Sequence, residues 1–110
     1  MADATAEFFE QLAEREHEPL LEKVTGTLRF DLKDNGRTAR WRVAIKKGDV
    51  AVSRANEAAD CVFRSDRTTF EKIVAGKANP FASMLRGTVD VEGDTELAVL
   101  FQRIFREEKS

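Results

Sequence analysis

Few residues in this chain have the chemistry of a catalyst. There is one His, His17, and one Cys, Cys61. His17 falls at the expected end of the first helix, where a lone exposed His reads as a helix-terminus residue. Cys61 sits among alternating strand residues, and a buried Cys behaves as a small hydrophobe. No His is placed by motif to activate it as a nucleophile. The sequence holds no Gly-x-Ser-x-Gly elbow, Gly-rich phosphate loop or His-Glu-x-x-His motif. One His and one Cys do not make a zinc site without further ligands. Carboxylates are plentiful but fall on polar faces, where they keep the surface soluble. The expectation is a protein that is not an enzyme and needs no metal or cofactor.

The aromatic side chains carry more information. There are eight Phe, one Trp and no Tyr. Phe30, Trp41 and Phe63 are expected to point inward from a sheet. Phe70, Phe81, Phe101 and Phe105 are expected to come from helices above it. Such a set can be simple core. Some of it can instead line a cavity, because ligand pockets are mostly apolar clefts with few polar groups. Leu97, Ala98, Leu100, Phe101, Ile104 and Phe105 make a broad apolar stripe on the last helix. That helix can be a lid over the sheet or ordinary packing; periodicity does not separate the two.

The elements that hold these residues follow from hydrophobic period. Residues 4–17 read as a helix with Phe8, Phe9, Leu12 and Ala13 on one stripe. Glu18-Pro19 ends it, since the residue before Pro avoids helix. From Thr25 to Ser53 the period becomes two. Leu28, Phe30 and Leu32 form one inward set, and Ala39, Trp41, Val43 and Ile45 the next. Val50 and Val52 form the third. Asp34-Asn35-Gly36 and Lys47-Gly48-Asp49 are the turns of this three-stranded antiparallel meander. Cys61, Phe63 and Ser65 give a fourth strand.

Asp66 or Ser65 can cap a following helix with Phe70, Ile73 and Val74, which Gly76 stops. Asn79-Pro80 opens a short helix with Phe81, Met84 and Leu85. Val89 and Val91 belong to a last strand, Thr88–Glu92, and residues 95–108 to a closing helix. Strands in a run with helices clustered later predict an α+β fold, with helices over one sheet face. Arg29, Lys33, Arg40, Arg42 and Lys46 fall on the other face, which is expected to be wet.

Composition bounds the rest. The chain has 110 residues, so residues 1–110 are expected to form one domain. Its 18 bases and 20 acids leave a net charge of −2, without the basic excess of a nucleic-acid binder. A single Cys excludes an intramolecular disulfide, and no apolar run is long enough to span a membrane. The first residues lack a basic-then-apolar signal, and Glu108-Lys109-Ser110 is not a peroxisomal address. A cytoplasmic protein is expected. Charge is uneven: residues 1–23 hold seven acids and two bases, residues 24–47 seven bases and two acids. The basic stretch reads either as a solvated face or as a weak attraction to anionic membrane surfaces.

A longer pattern runs through the second half. Ala59-Asp60-Cys61-Val62-Phe63-Arg64-Ser65-Asp66 leads to Phe70, Ile73 and Gly76-Lys77-Ala78-Asn79-Pro80. Met84, Gly87-Thr88-Val89-Asp90-Val91-Glu92-Gly93-Asp94 and Leu97-Ala98 follow, and the Trp41 strand ends in Lys47-Gly48. In order and spacing this resembles the sterol carrier protein 2 family over roughly residues 5–106. The resemblance implies an α+β domain with a five-stranded, mainly antiparallel sheet and helices over one face. It implies non-catalytic binding of a fatty acid, fatty acyl-CoA, phospholipid or sterol-like lipid in an apolar tunnel between sheet and helices. Mapped onto this chain, the expected lining is Trp41, Val43, Phe63, Phe81, Met84, Leu85, Val89, Leu100, Phe101 and Phe105. Lys77 or Arg86 is the candidate for meeting a ligand carboxylate or phosphate at the mouth. The partner is then a hydrophobic small molecule, with transient contact to an anionic membrane surface, and the chain a monomer or weak homodimer. The competing reading is a non-catalytic accessory module of a lipid-pathway enzyme, using the apolar face for a protein partner or homodimer.

Overall fold

The structure is a computed structural model that describes the backbone of residues 4–54 and 56–109. Side chains are described over the same span, except those of Phe81 and residues 103–109. Helix α1 spans Ala4–Arg15 and is followed by a 3-10 turn at Pro19–Leu21. Strands β1 (Thr25–Asp34), β2 (Arg37–Lys46) and β3 (Asp49–Ser53) come next, then β4 (Cys61–Asp66). Helices α2 (Arg67–Val74) and α3 (Pro80–Leu85), strand β5 (Val89–Gly93) and helix α4 (Thr95–Lys109) complete the order.

The five strands form one sheet in the order β3-β2-β1-β4-β5. The two hairpin turns place Asn35 and Gly36, then Lys47 and Gly48, at positive φ. Two consecutive left-handed residues give the turn twist that matches paired strands. The turns therefore set the register, with Phe30 opposite Trp41 and Ile45 opposite Val50. The β1–β4 pair is parallel and sets Phe30 beside Phe63. The sheet is thus mixed and mostly antiparallel, and the α+β expectation holds.

Helix α1 ends two residues before the expected stop at Glu18-Pro19. Glu16 adopts φ 58° and leaves the helix, and His17 bridges to Asp49 instead. The chain end of α1 is then tied to the second hairpin, where Glu18 N donates to Gly48 O and Val50 N to Glu16 O.

The core lies between the inner sheet face and the helices. Phe9, at 0% exposure, stacks on Trp41 at 4.7 Å and on Phe70 at 5.6 Å, and tilts against Phe30 at 5.2 Å. Phe30 in turn touches Phe63 at 5.3 Å and Phe101 at 5.4 Å. One connected set of rings therefore joins α1, α2 and α4 to the middle of the sheet.

The outer face is less wet than the alternation predicts. Lys33 and Lys46 are exposed, but Arg29, Arg40 and Arg42 are only half-exposed. The β3–β4 connection lies against this face, where Arg29 donates to Glu57 O and Arg42 to Ala58 O. Asp31 is buried and receives two hydrogen bonds from Arg29 at 2.9 and 3.0 Å, with Arg40 at 3.7 Å. Arg64 is held by Asp90 and Glu92, which push its proton affinity above the ordinary value. Arg29, Arg40 and Arg64 on this face are thus matched by acids, whereas Lys33 and Lys46 face solvent.

Candidate ligand-binding cleft

Helix α3 and the start of α4 are short elements that need local support. Asn79 Oδ1 accepts from Ala82 N, and Pro80 occupies the first helical position. Thr88 Oγ1 and N both donate to Ser83 O, which fastens α3 to the entry of β5. Asp94 Oδ1 accepts from Leu97 N and caps α4. Gly93, at φ 91°, makes the bend between β5 and α4. A Cβ there would lie 2.3 Å from Asp60 O, so glycine is required by both space and backbone. Asp94 N completes the anchor by donating to Asp60 O at 2.8 Å.

These supports hold α3 and α4 apart over β1, β4 and β5. Between them lies an open-sided cleft of about 290 Å³. Leu28, Phe30, Phe63, Val89 and Val91 form its sheet wall. Pro80 and Met84 of α3 form one side, and Ala98, Val99 and Phe101 of α4 the other. Among the described residues, Thr95 and Gln102 are its polar side chains, and neither is charged. Phe30, Phe63 and Phe101 are fixed by ring contacts to the core, so the wall at that end is preformed. Met84 is 36% exposed and Val99 41%, which puts both at the open side. The arrangement can bury an apolar chain, and among the described residues that line it there is no acid–base pair.

Four of the ten expected lining residues meet here: Phe63, Met84, Val89 and Phe101. Four others are elsewhere. Trp41 sits between Phe9 and the Arg54 guanidinium, which lies 4.2 Å from the ring centre. Val43 is fully buried in the core on β2, the far side of β1 from the cleft. Leu85 is 85% exposed, and Leu100 packs against the core without lining the cleft. Phe81 and Phe105 lie outside the described side chains. Lys77 and Arg86 are exposed and do not line the cleft.

Leu28, Phe30, Pro80, Val91 and the Thr95-Ala98-Val99-Gln102 row were not in the expected set. The row had a signal: spacings of three, four and seven place these residues on one helix stripe. Leu28 and Phe30 belong to the inward set of β1, but only the parallel β1–β4 pairing brings them beside Phe63.

His17 Nδ1 lies 2.7 Å from Asp49 Oδ1 at the α1–β3 junction and has no part in the cleft. Cys61 is buried, and burial pushes its thiol up, with Asp94 and Asp60 adding in the same direction. It is held as a neutral thiol. Among the described residues, no three His, Cys, Asp or Glu side chains gather as a metal site.

The fold and cleft together define a class: an α+β domain with an apolar recess between a mixed sheet and its helices. The model of the SCP-2 sterol transfer family matches residues 6–106, and the chain belongs to that family. Sterol carrier protein 2 of Homo sapiens is 30% identical over 98 residues, covering 86% of this chain and 18% of the relative. The chain therefore spans about a fifth of the length of the curated relatives it matches. The sterol carrier protein domain 2 of Helicoverpa armigera superposes with a TM-score of 0.79 at 24% identity, over 96% of this chain and 88% of that one. The apo form of sterol carrier protein 2 from Yarrowia lipolytica gives 0.77 at 22% identity, over 94% and 90%. At these identities the two structures establish the shared fold.

Proposed function

We propose that this chain is a non-catalytic carrier that buries the apolar part of a lipid in the cleft between the sheet and helices α3 and α4. The candidate ligands are a fatty acid, a fatty acyl-CoA, a phospholipid or a sterol-like lipid. The observation that carries the reading is the cleft itself, an apolar recess whose polar side chains among the described residues, Thr95 and Gln102, are uncharged. Membership of a sterol transfer family supports it. Phe63, Met84, Val89 and Phe101 are the proposed contacts from the expected set, joined by Phe30 and Ala98. The proposal includes one domain over residues 1–110, acting in the cytoplasm as a monomer or weak homodimer.

Burial supplies the affinity. Each methylene removed from water contributes about 0.8 kcal/mol, so fourteen contribute about 11 kcal/mol. Association costs of about 4 kcal/mol leave about 7 kcal/mol, or a Kd of roughly 10 μM. Little polar recognition enters this sum, so selectivity is expected to follow chain length and shape.

Titration with a fluorescent fatty-acid analogue tests the reading. Saturable uptake of one probe per chain with a Kd of about 10 μM, displaced by oleic acid, is the expected result. Uptake that does not saturate, or that oleic acid does not displace, would overturn it.

A further inference from the structure

We propose that the hollow above Ala39, between β2 and the start of α1, is a second small-molecule site that takes a compact anion with a planar apolar ring, an aryl carboxylate being the simplest. Its lining shares no residue with the lipid cleft, and it stands without the reading of that cleft.

The hollow follows from two small side chains. Arg37, Ala39 and Trp41 occupy alternate positions of β2 and so share its inner face. Ala39 is the small one of the three. It pairs with Leu32 of β1, and Ala6 of α1 lines the same space from the helix side. Two methyl groups leave the gap between helix and sheet unfilled, as an open hollow of about 400 Å³.

Trp41 bounds this hollow by the rim of its ring. One face of the indole stacks on Phe9 at 4.7 Å, and the Arg54 guanidinium lies over the other at 4.2 Å. With both faces covered, the rim is what reaches the hollow. An aromatic rim carries partial positive charge and meets the face of a second ring in the favoured edge-to-face arrangement.

Charge narrows the ligand further. Arg37, Arg54 and Arg67 line the hollow together with Asp34 and Glu10. Arg67 is held by Asp34 at 2.9 Å and Glu71 at 3.1 Å. Arg54 donates from Nε to Arg40 O at 2.7 Å, which fixes its guanidinium over the indole. Neither Arg54 nor Arg37 has a carboxylate within ion-pair distance among the described residues. Glu10 opposes these two cations in part. Exposed cations without a carboxylate also occur at Lys33, Lys46, Lys77 and Arg86, so that property alone selects nothing. What Arg37 and Arg54 share is a hollow with an apolar floor and an indole rim. A recess on the outer sheet face makes the contrast. There Lys33, Arg40 and Arg64 stand among Asp31, Asp66 and Asp90, and no described aromatic side chain lines it. A flat ring lying on Ala39 and Leu32 would meet the indole rim, with its carboxylate turned to the guanidinium groups.

Titration with 1-naphthoate tests this, followed by the indole N–H signal in a nitrogen–proton correlation NMR spectrum. Trp41 is the only Trp, so it gives one such signal. Saturable movement with a Kd of about 1 mM is expected, the usual strength for a ligand of about a dozen heavy atoms. 1-Naphthylmethanol, the same ring without the charge, should bind about fivefold more weakly. Arg37→Gln should weaken the carboxylate about fivefold and leave the alcohol unchanged, whereas Glu10→Gln should strengthen the carboxylate about twofold or more. Both residues are exposed, so both variants are expected to fold. One equivalent of oleic acid should leave the titration unchanged, since the lipid cleft is elsewhere. Movement that does not saturate, equal binding of acid and alcohol, indifference to both substitutions, or displacement by oleic acid would each overturn the proposal.

Discussion

Replacing Ala98 with Trp is expected to remove lipid binding while leaving the chain folded. Ala98 is half-buried on α4, and its methyl faces the cleft. An indole there would project into open space rather than into packed core, so the usual overpacking cost of about 1–3 kcal/mol should be largely avoided. It would occupy much of the 290 Å³ that a ligand needs. Excluding five methylenes forfeits about 4 kcal/mol of burial, close to a thousandfold in affinity. The probe titration should therefore show at least a hundredfold loss, with an unchanged far-ultraviolet circular dichroism spectrum. Phe101 is a poorer place for this test. It is 2% exposed and packs on Phe30, so a charge introduced there would unfold the chain for reasons unrelated to ligand. Undiminished binding by a folded Ala98→Trp variant would place the ligand somewhere other than the cleft.

The largest effect on stability should come from Phe9→Ala. Phe9 has no exposed surface and stacks on Trp41 with an interplanar angle of 11° and on Phe70 with one of 1°. Removing it leaves a void at the junction of α1, α2 and the sheet. Truncating a buried Phe costs about 3–5 kcal/mol. A domain of this size has about 5–15 kcal/mol in total. At roughly 4 °C per kcal/mol, the melting temperature should fall by about 12–20 °C. Trp41 is the only Trp, so its emission reports the same event. One face of its ring would open to water, and the native spectrum should shift to longer wavelength. Leu85→Ala provides the contrast, since a residue 85% exposed should change stability by no more than about 0.5 kcal/mol. A fall of less than about 5 °C for Phe9→Ala would mean that the ring cluster does not hold α1 to the sheet.

The hairpins were legible because their information is local. Asn35-Gly36 and Lys47-Gly48 announce two left-handed residues each, and the inward sets on either side fall into register around them. The end of α1 was less legible. The first helix-breaking signal is Glu18-Pro19, but backbone hydrogen bonds to the second hairpin draw residues 16–18 away earlier. Those bonds join residues about thirty positions apart, and no local pattern encodes them.

The cleft was legible only in part for the same reason. Alternation correctly turns Trp41 and Phe63 to the inner face, but it does not say what stands above each. Helix α1 covers Trp41 through Phe9, whereas the gap between α3 and α4 lies over Phe63. The parallel pairing of β1 with β4 is also long-range, and it adds Leu28 and Phe30 to the wall. On α4 the broad stripe divides: Leu97 is buried away from the cleft, while Ala98 and the buried Phe101 line it together with Val99, which lay outside the expected stripe. The resemblance in residues 59–98 identified the family because the order of its glycines and valines is itself local. The ligand contacts depend on how separate elements meet.

Native mass spectrometry of the purified chain, followed by organic extraction and lipid identification, tests the central claim most directly. It presupposes no ligand. A species heavier than the chain by one lipid mass, with the same lipid recovered in the extract and lost in Ala98→Trp, is the predicted result. A bare chain mass that persists after incubation with fatty acids, acyl-CoA, phospholipid and sterol would contradict the carrier account.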